Sequence, residues 1–255
     1  MPFLSYKEKN IFYRIKETES KNVIIFIHGS GESSYTWKEQ LENLNISYNL
    51  IAIDLPSHIN SDEFSGLSLD LYVDVIRHLI KSLNYENVIL CGHSLGGAIT
   101  QQYYFTYPKE ASGLILCSTG GRLRVAPIIL NSLRTNYQEF LDSLPDGAFY
   151  RKTPRELIDN YVQETSKIKA EVTYEDYKIC DNFDTIDKTD SIEVPCLIIV
   201  GKEDKLTPVK FSQFFLDKIK NSDLNVINDA GHMVMLEKPS EVNKSIENFI
   251  INYFN

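Results

Sequence analysis

Val88-Ile89-Leu90-Cys91 runs directly into Gly92-His93-Ser94-Leu95-Gly96-Gly97, and that passage leads into a helix-like stretch closed by Pro108. An apolar run, a sharp small-residue turn with a central serine, then a helix: this order turns a bare G-x-S-x-G match into a nucleophile elbow. A serine at the tip of such a turn sits in strained backbone, tolerated where its neighbours lack bulky side chains. Gly92 and Gly96 meet that need. A helix over 97–107 would aim its N-terminal N–H groups and positive dipole end at the serine oxygen. Taken alone, the pattern also fits an ordinary Gly/Ser-rich turn after a strand, so its surroundings decide.

Those surroundings repeat one rhythm. Val23-Ile24-Ile25-Phe26-Ile27 is a continuous β-branched and apolar run, suited to a strand buried on both faces of a parallel sheet. Leu50-Ile51-Ala52-Ile53, Gly113-Leu114-Ile115-Leu116-Cys117 and Cys196-Leu197-Ile198-Ile199-Val200 read the same way, and Leu224-Asn225-Val226-Ile227 is a shorter version. Ser68 caps a helix to about Leu83, with Leu71, Val75, Ile76, Leu79 and Leu83 at helical spacing. Short helices are expected near 36–44, from Pro208 and from Pro239. Residues 3–16 alternate in polarity around Lys7-Glu8-Lys9-Asn10, which predicts a hairpin with a polar turn. Strands alternating with amphipathic helices mark a doubly wound α/β sheet. Between 122 and 190 the rhythm breaks. Residues 128–144, 154–170 and 174–183 look helical, with Pro154 suited to a first turn.

Composition narrows the function. With 255 residues, the chain has room for one α/β domain with an insertion, or for two small domains. Its net charge of −9 argues against non-specific nucleic-acid binding and against docking on anionic membranes. The N-terminal residues lack a basic start followed by a long apolar stretch, and no run approaches a membrane span, so the expected location is cytoplasmic. Cys91, Cys117 and Cys196 lie in or beside strand-like runs, as small buried hydrophobes, and Cys180 falls in a polar helical stretch. No C-x-x-C pair suggests a metal or redox site.

A serine hydroxyl needs a base to take its proton and a third group to orient that base. Both are expected on loops at the C-terminal ends of the parallel strands. Of five histidines, His232 in Gly231-His232-Met233 follows the last strand and is the best base. His78 sits in a helix pattern. His93 is turned away from the site by the sharp turn and has a structural role. His28 should anchor its own loop by hydrogen bonding, and His58 is ambiguous. For the acid, Asp204 follows a strand in Gly201-Lys202-Glu203-Asp204, before Thr207-Pro208 opens a helix. Asp229 is a weaker rival and Glu203 should point away. An oxyanion would be held by the backbone N–H groups of Leu95 and of Ser30, within His28-Gly29-Ser30-Gly31. Trp37 and Met233 are expected as pocket neighbours. Arg122 and Arg124 fit a substrate carboxylate or, as the plainer reading, a solvated surface. Most apolar residues of the helical stretch, such as Ile129, Leu133, Phe140 and Tyr161, should pack onto the core, with some left to line an acyl pocket.

Together these residues resemble the α/β-hydrolase superfamily over nearly the whole chain. The matching features are His28-Gly29, Trp37, Asp54-Leu55-Pro56, the elbow around Ser94, Gly201-Lys202-Glu203-Asp204 and Gly231-His232, and the order Ser94, Asp204, His232 is the one that architecture uses. The resemblance implies an eight-stranded, mostly parallel sheet formed by 1–121 and 191–255. It also implies an all-helical cap at 122–190, inserted after the sixth strand. The implied activity is hydrolysis of a small or medium carboxylic ester, acting on a small-molecule substrate with an acyl group and without metal or cofactor. A carbon–carbon bond hydrolase, a thioesterase, a cofactor-free haloperoxidase-type enzyme and a non-catalytic receptor share the same residues. Serine as nucleophile, in place of aspartate, counts against dehalogenase and epoxide hydrolase branches. The family's Gly-x-Gly-x-Ser after Asp-Leu-Pro reads Ser57-His58-Ile59-Asn60-Ser61 here, so that loop is expected to bend differently.

Overall fold

Five consecutive side chains, Val23 to Ile27, are completely buried, and that one run explains the architecture. Ile25 and Ile27 enter one apolar core while Ile24 and Phe26 enter another. Fully burying such a side chain is worth about 1.5–3 kcal/mol, so this strand must lie inside a sheet covered on both faces. The computed structural model describes residues 2–254. Its strands are β1 (Phe3–Tyr6), β2 (Lys9–Lys16), β3 (Asn22–Ile27), β4 (Asn49–Ile53), β5 (Asn87–His93), β6 (Gly113–Cys117), β7 (Cys196–Gly201) and β8 (Ser222–Ile227). They form one eight-stranded sheet in the order β1-β2-β4-β3-β5-β6-β7-β8. The β1–β2 and β2–β4 pairs are antiparallel and the rest are parallel.

Ten α-helices and two short 3₁₀ helices, Ser34–Trp37 and Ile186–Ser191, complete the described residues; the α-helices are α1 (Lys38–Asn43), α2 (Leu69–Leu83), α3 (Leu95–Thr106), α4 (Pro127–Thr135), α5 (Tyr137–Ala148), α6 (Arg155–Thr165), α7 (Ala170–Asn182), α8 (Val209–Lys218), α9 (Val234–Glu237) and α10 (Pro239–Phe254). Helices α2, α3 and α8 bury apolar side chains in one core, and α1 and α10 in the other. Ser68 caps α2 as expected, its Oγ accepting the Leu71 N–H at 3.2 Å. Among the described residues, no helix is long and apolar enough to cross a membrane.

Four helices, α4 to α7, lie between β6 and β7, where the strand rhythm lapses. The predicted helix over 128–144 is two helices, broken at Asn136, whose side chain caps α5 by accepting the Glu139 N–H at 3.3 Å. The hairpin turn is also tighter than expected. Lys7 and Glu8 alone make it, both at positive φ, which matches the right-handed twist of the flanking strands. Lys9 and Asn10 already belong to β2.

The loop after β4 corrects a further expectation. Ser57 and Ile59 occupy the two glycine positions of the resembled pattern, and both hold positive φ, 70° and 37°. The loop therefore keeps the backbone that glycine would supply, at a strain of about 1–3 kcal/mol per residue. Buried hydrogen bonds hold it there: Ser61 Oγ donates to the Asp54 carbonyl at 2.7 Å and accepts the Phe12 N–H at 2.9 Å.

Candidate active site

Ser94 stands between β5 and α3 with φ 51° and ψ −113°, a conformation that costs an L-residue about 1–3 kcal/mol. Its peptide groups are tied down on both sides. The Ser94 N–H donates to the Cys117 carbonyl at 3.1 Å, and its own carbonyl accepts from Gly97 N–H at 2.9 Å and Thr119 Oγ1 at 2.8 Å. The elbow glycines serve close packing. A Cβ on Gly92 would lie 2.1 Å from the Gly96 carbonyl oxygen, and one on Gly96 would lie 2.1 Å from that of Ile27. Any side chain at either position would push α3 off the sheet.

β7 and β8 deliver the other two groups. His232 Nδ1 lies 2.9 Å from Asp204 Oδ2. The Asp204 carboxylate is itself held by the N–H groups of Leu206 (2.9 Å) and Thr207 (2.8 Å) and by the Thr207 hydroxyl (2.8 Å). Burial pushes the Asp204 carboxyl up, but the charge and hydrogen bond of His232, helped by Thr207, outweigh it and hold the group below its ordinary value. Burial likewise pushes His232 down, and Asp204 more than reverses this, so the imidazole is raised above its ordinary value. With Nδ1 turned to Asp204, Nε2 is the nitrogen available to a serine proton. Glu203 and the rival Asp229 are both exposed.

Ser94, His232 and Ser30 front one cavity of about 620 Å³. Its walls are mostly apolar, with Leu123, Ile129, Leu144, Tyr161 and Phe214 among them. Leu133, Phe140 and Phe149 instead pack in the core. Arg122 and Arg124 reach the cavity, Arg122 with its Nε held by Asp184 at 2.7 Å. Among the described residues, Ser94 Oγ makes no hydrogen bond, and the side-chain bond made to this residue goes from Thr119 Oγ1 to its carbonyl. Nor does any protein acceptor among those residues take the backbone N–H of Ser30 or Leu95. No group of three or more described His, Cys, Asp or Glu side chains is arranged to hold a metal.

Trp37 and Met233, expected at the pocket, are not there. Trp37 is fully buried with its ring centroid 5.0 Å from that of Phe26, because the 3₁₀ turn Ser34–Trp37 lays the indole against the sheet. Met233 is fully buried in the same core.

The other histidines resolve into anchors. The His28 Nε2 accepts the Leu55 N–H at 3.0 Å and its Nδ1 donates to the Gly29 carbonyl at 2.8 Å. This is a neutral ring, in keeping with burial and then His58 lowering it to about 4. His93 turns Nδ1 to Glu32 at 3.1 Å and donates from Nε2 to the His232 carbonyl at 3.1 Å, so it braces the loop that carries His232. Glu32 is the residue that patterning overlooks. It lines the cavity while buried, and accepts from Gly29 N–H at 2.9 Å and Thr36 Oγ1 at 3.1 Å. Burial pushes its carboxyl up, but His93 and the Gly29 N–H bring it down to about 2. A lone carboxylate among the small residues of His28-Gly29-Ser30-Gly31-Glu32 was its only signal.

Comparison with known proteins identifies the family and the fold. Residues 24–245 match the model of the "Alpha/beta hydrolase family". The chain is 24% identical to an uncharacterized hydrolase, YugF of Bacillus subtilis (strain 168), over 94% of each chain. It is similar to the solved structure of a thermophilic esterase, with a TM-score of 0.87 and 35% identity over 98% of this chain and 97% of that one. It is also similar to Est816, described as an N-acyl homoserine lactone degrading enzyme, with a TM-score of 0.88 and 25% identity over 97% and 100%.

Proposed function

The chain belongs to the alpha/beta hydrolase family and is a hydrolase, and on that premise we propose that it cleaves small or medium carboxylic esters through an acyl-enzyme on Ser94. One observation carries this reading: Ser94 on its strained turn and His232, whose Nδ1 lies 2.9 Å from Asp204, front the same cavity. Ser94 Oγ attacks the acyl carbonyl while His232 Nε2 takes its proton. His232 then passes that proton to the departing alkoxide, and Asp204 keeps the ring in the required tautomer and supports the imidazolium. The N–H groups of Leu95 and Ser30 hold the oxyanion. Water, deprotonated by His232, hydrolyses the acyl-enzyme and restores Ser94. These side chains and water carry every step, with no metal or cofactor in the scheme.

In this reading residues 122–190 are the cap, roofing a core made of 1–121 and 191–255. The cavity of about 620 Å³ lies inside the range of about 300–1,000 Å³ typical of small-molecule sites. Its apolar walls favour an acyl chain, and likeness to an esterase at 35% identity supports the ester over other scissile bonds.

The test is a panel of p-nitrophenyl esters of rising acyl length, beside an acyl thioester and a vinylogous diketone. Short and medium esters should give the highest kcat/KM, with a fall for long chains. A preference of more than about tenfold, roughly 1.4 kcal/mol, for the thioester or the diketone would reassign the bond. No turnover of any of them would favour a receptor on the same fold.

A further inference from the structure

The helix α7 belongs to the cap, yet one of its faces grips the loop that carries Ser30. Thr173, Asp176 and Cys180 share that face at i, i+3 and i+7. Cys180 Sγ lies 3.4 Å from Ser30 Oγ, and Thr173 Cγ2 would stand 2.9 Å from a Cβ at residue 31, where glycine holds φ +66°. Asp176 Oδ2 accepts the Gly31 N–H at 3.0 Å.

The Asp176 carboxylate is wholly buried and belongs to a network outside the triad. Its Oδ2 also accepts from His58 Nε2 at 2.9 Å, and its Oδ1 accepts from the Tyr72 hydroxyl at 2.7 Å. The second His58 nitrogen donates to the Pro56 carbonyl at 3.0 Å. Burial pushes the His58 ring down, but Asp176 beside it more than reverses this and holds it above its ordinary value, so the buried acid has a basic partner.

The consequence concerns three consecutive N–H groups. Gly29 donates to Glu32 at 2.9 Å and Gly31 to Asp176 at 3.0 Å. Between them the Ser30 N–H has no protein acceptor among the described residues. Two buried carboxylates thus bracket one free donor. One carboxylate comes from the loop itself and the other from the cap.

We propose that Asp176 is a positioning residue that orients the Ser30 oxyanion donor by fixing the Gly31 peptide, so that seating the cap and assembling the oxyanion hole are a single event. This rests on the serine hydrolase reading above. Loss of a whole oxyanion donor costs about 10²–10³ in turnover, and misplacement by about 1 Å costs up to about 10². Asp176→Ala should therefore lower kcat about 10- to 100-fold, with KM changed less than about threefold.

The experiment counts competent molecules by fluorophosphonate labelling and expresses kcat per labelled site. It also measures inhibition by an alkyl trifluoromethyl ketone, which forms a tetrahedral adduct, and by the product carboxylic acid, which does not. In Asp176→Ala the ketone should weaken by the factor lost from kcat/KM, while the acid binds as before. Tyr72→Phe removes a bond of the same network without freeing Gly31; it should lower Tm yet leave kcat per site within about threefold. Should Asp176→Ala fail to fold, Asp176→Asn is read instead. A neutral amide oxygen holds Gly31 less strongly than a carboxylate, so a loss of about 3- to 10-fold in both kcat and ketone affinity is expected. Wild-type kcat per site and wild-type ketone affinity in the folded variant would overturn the proposal. Equal losses in Asp176→Ala and Tyr72→Phe would overturn it too. Failure of the wild type itself to label would instead strike the serine hydrolase reading.

Discussion

Replacing Ser94 by alanine should reduce ester turnover on the order of 10⁶-fold while leaving the fold intact, the scale on which nucleophile loss acts in comparable triads. The size follows from how the site is divided. Without the hydroxyl there is no acyl-enzyme, and His232 has no proton to take. What survives is the residual rate, roughly 10³–10⁴ over water, that binding and oxyanion donors supply. Stability should hold or rise slightly, because alanine at φ 51° carries the same kind of strain and the hydroxyl makes no hydrogen bond among the described residues. Steady-state kinetics on the preferred p-nitrophenyl ester, with a thermal melt alongside, measures both. Retained activity would show that another group is the nucleophile.

The second large effect separates two aspartates near His232. Asp204→Asn keeps the shape of the side chain but presents an amide where the imidazole needs an acceptor. It should lower kcat by about 10⁴ through the wrong histidine tautomer. Asp204 also raises His232, so removing its charge lowers the histidine, and the acid limb of any residual kcat/KM profile should move to lower pH. Asp229→Asn should change neither, because Asp229 is exposed in the turn after β8, and the His232 Nδ1 is already paired with Asp204. A pH–rate profile for each variant decides the matter, and the reverse pattern would reassign the acid.

The meeting of Ser94, Asp204 and His232 at one sheet edge was legible in the sequence because each stands at a strand end, where chain order and sheet direction limit what can meet. Ser94, Asp204 and His232 follow β5, β7 and β8, and an apolar run before each loop is enough to bring all three to one edge of a parallel sheet. Ser30 was legible for the same reason after β3. The groups that fix these residues were not. Glu32 and Asp176 are polar side chains in polar-looking contexts, and only tertiary packing buries them. Asp176 meets His58 across 118 positions, a separation that local patterning cannot reach. Trp37 shows the opposite failure: an aromatic residue soon after the Ser30 loop reads as a pocket wall, but the turn geometry drives it into the sheet. Asn136 shows how a cap inside an apolar periodicity divides one expected helix into two. Ser57 and Ile59 show a backbone kept by its hydrogen bonds after the glycines suited to it are gone.

The most direct measurement is the mass of the folded protein after exposure to a fluorophosphonate. A nucleophilic Ser94, activated by His232 and Asp204, should take a single adduct, mapped by peptide mass to the segment containing Gly92-His93-Ser94, and Ser94→Ala should take none. A folded protein that remains unmodified, or an adduct on a different residue, would contradict the assignment of Ser94 as the nucleophile of a serine hydrolase.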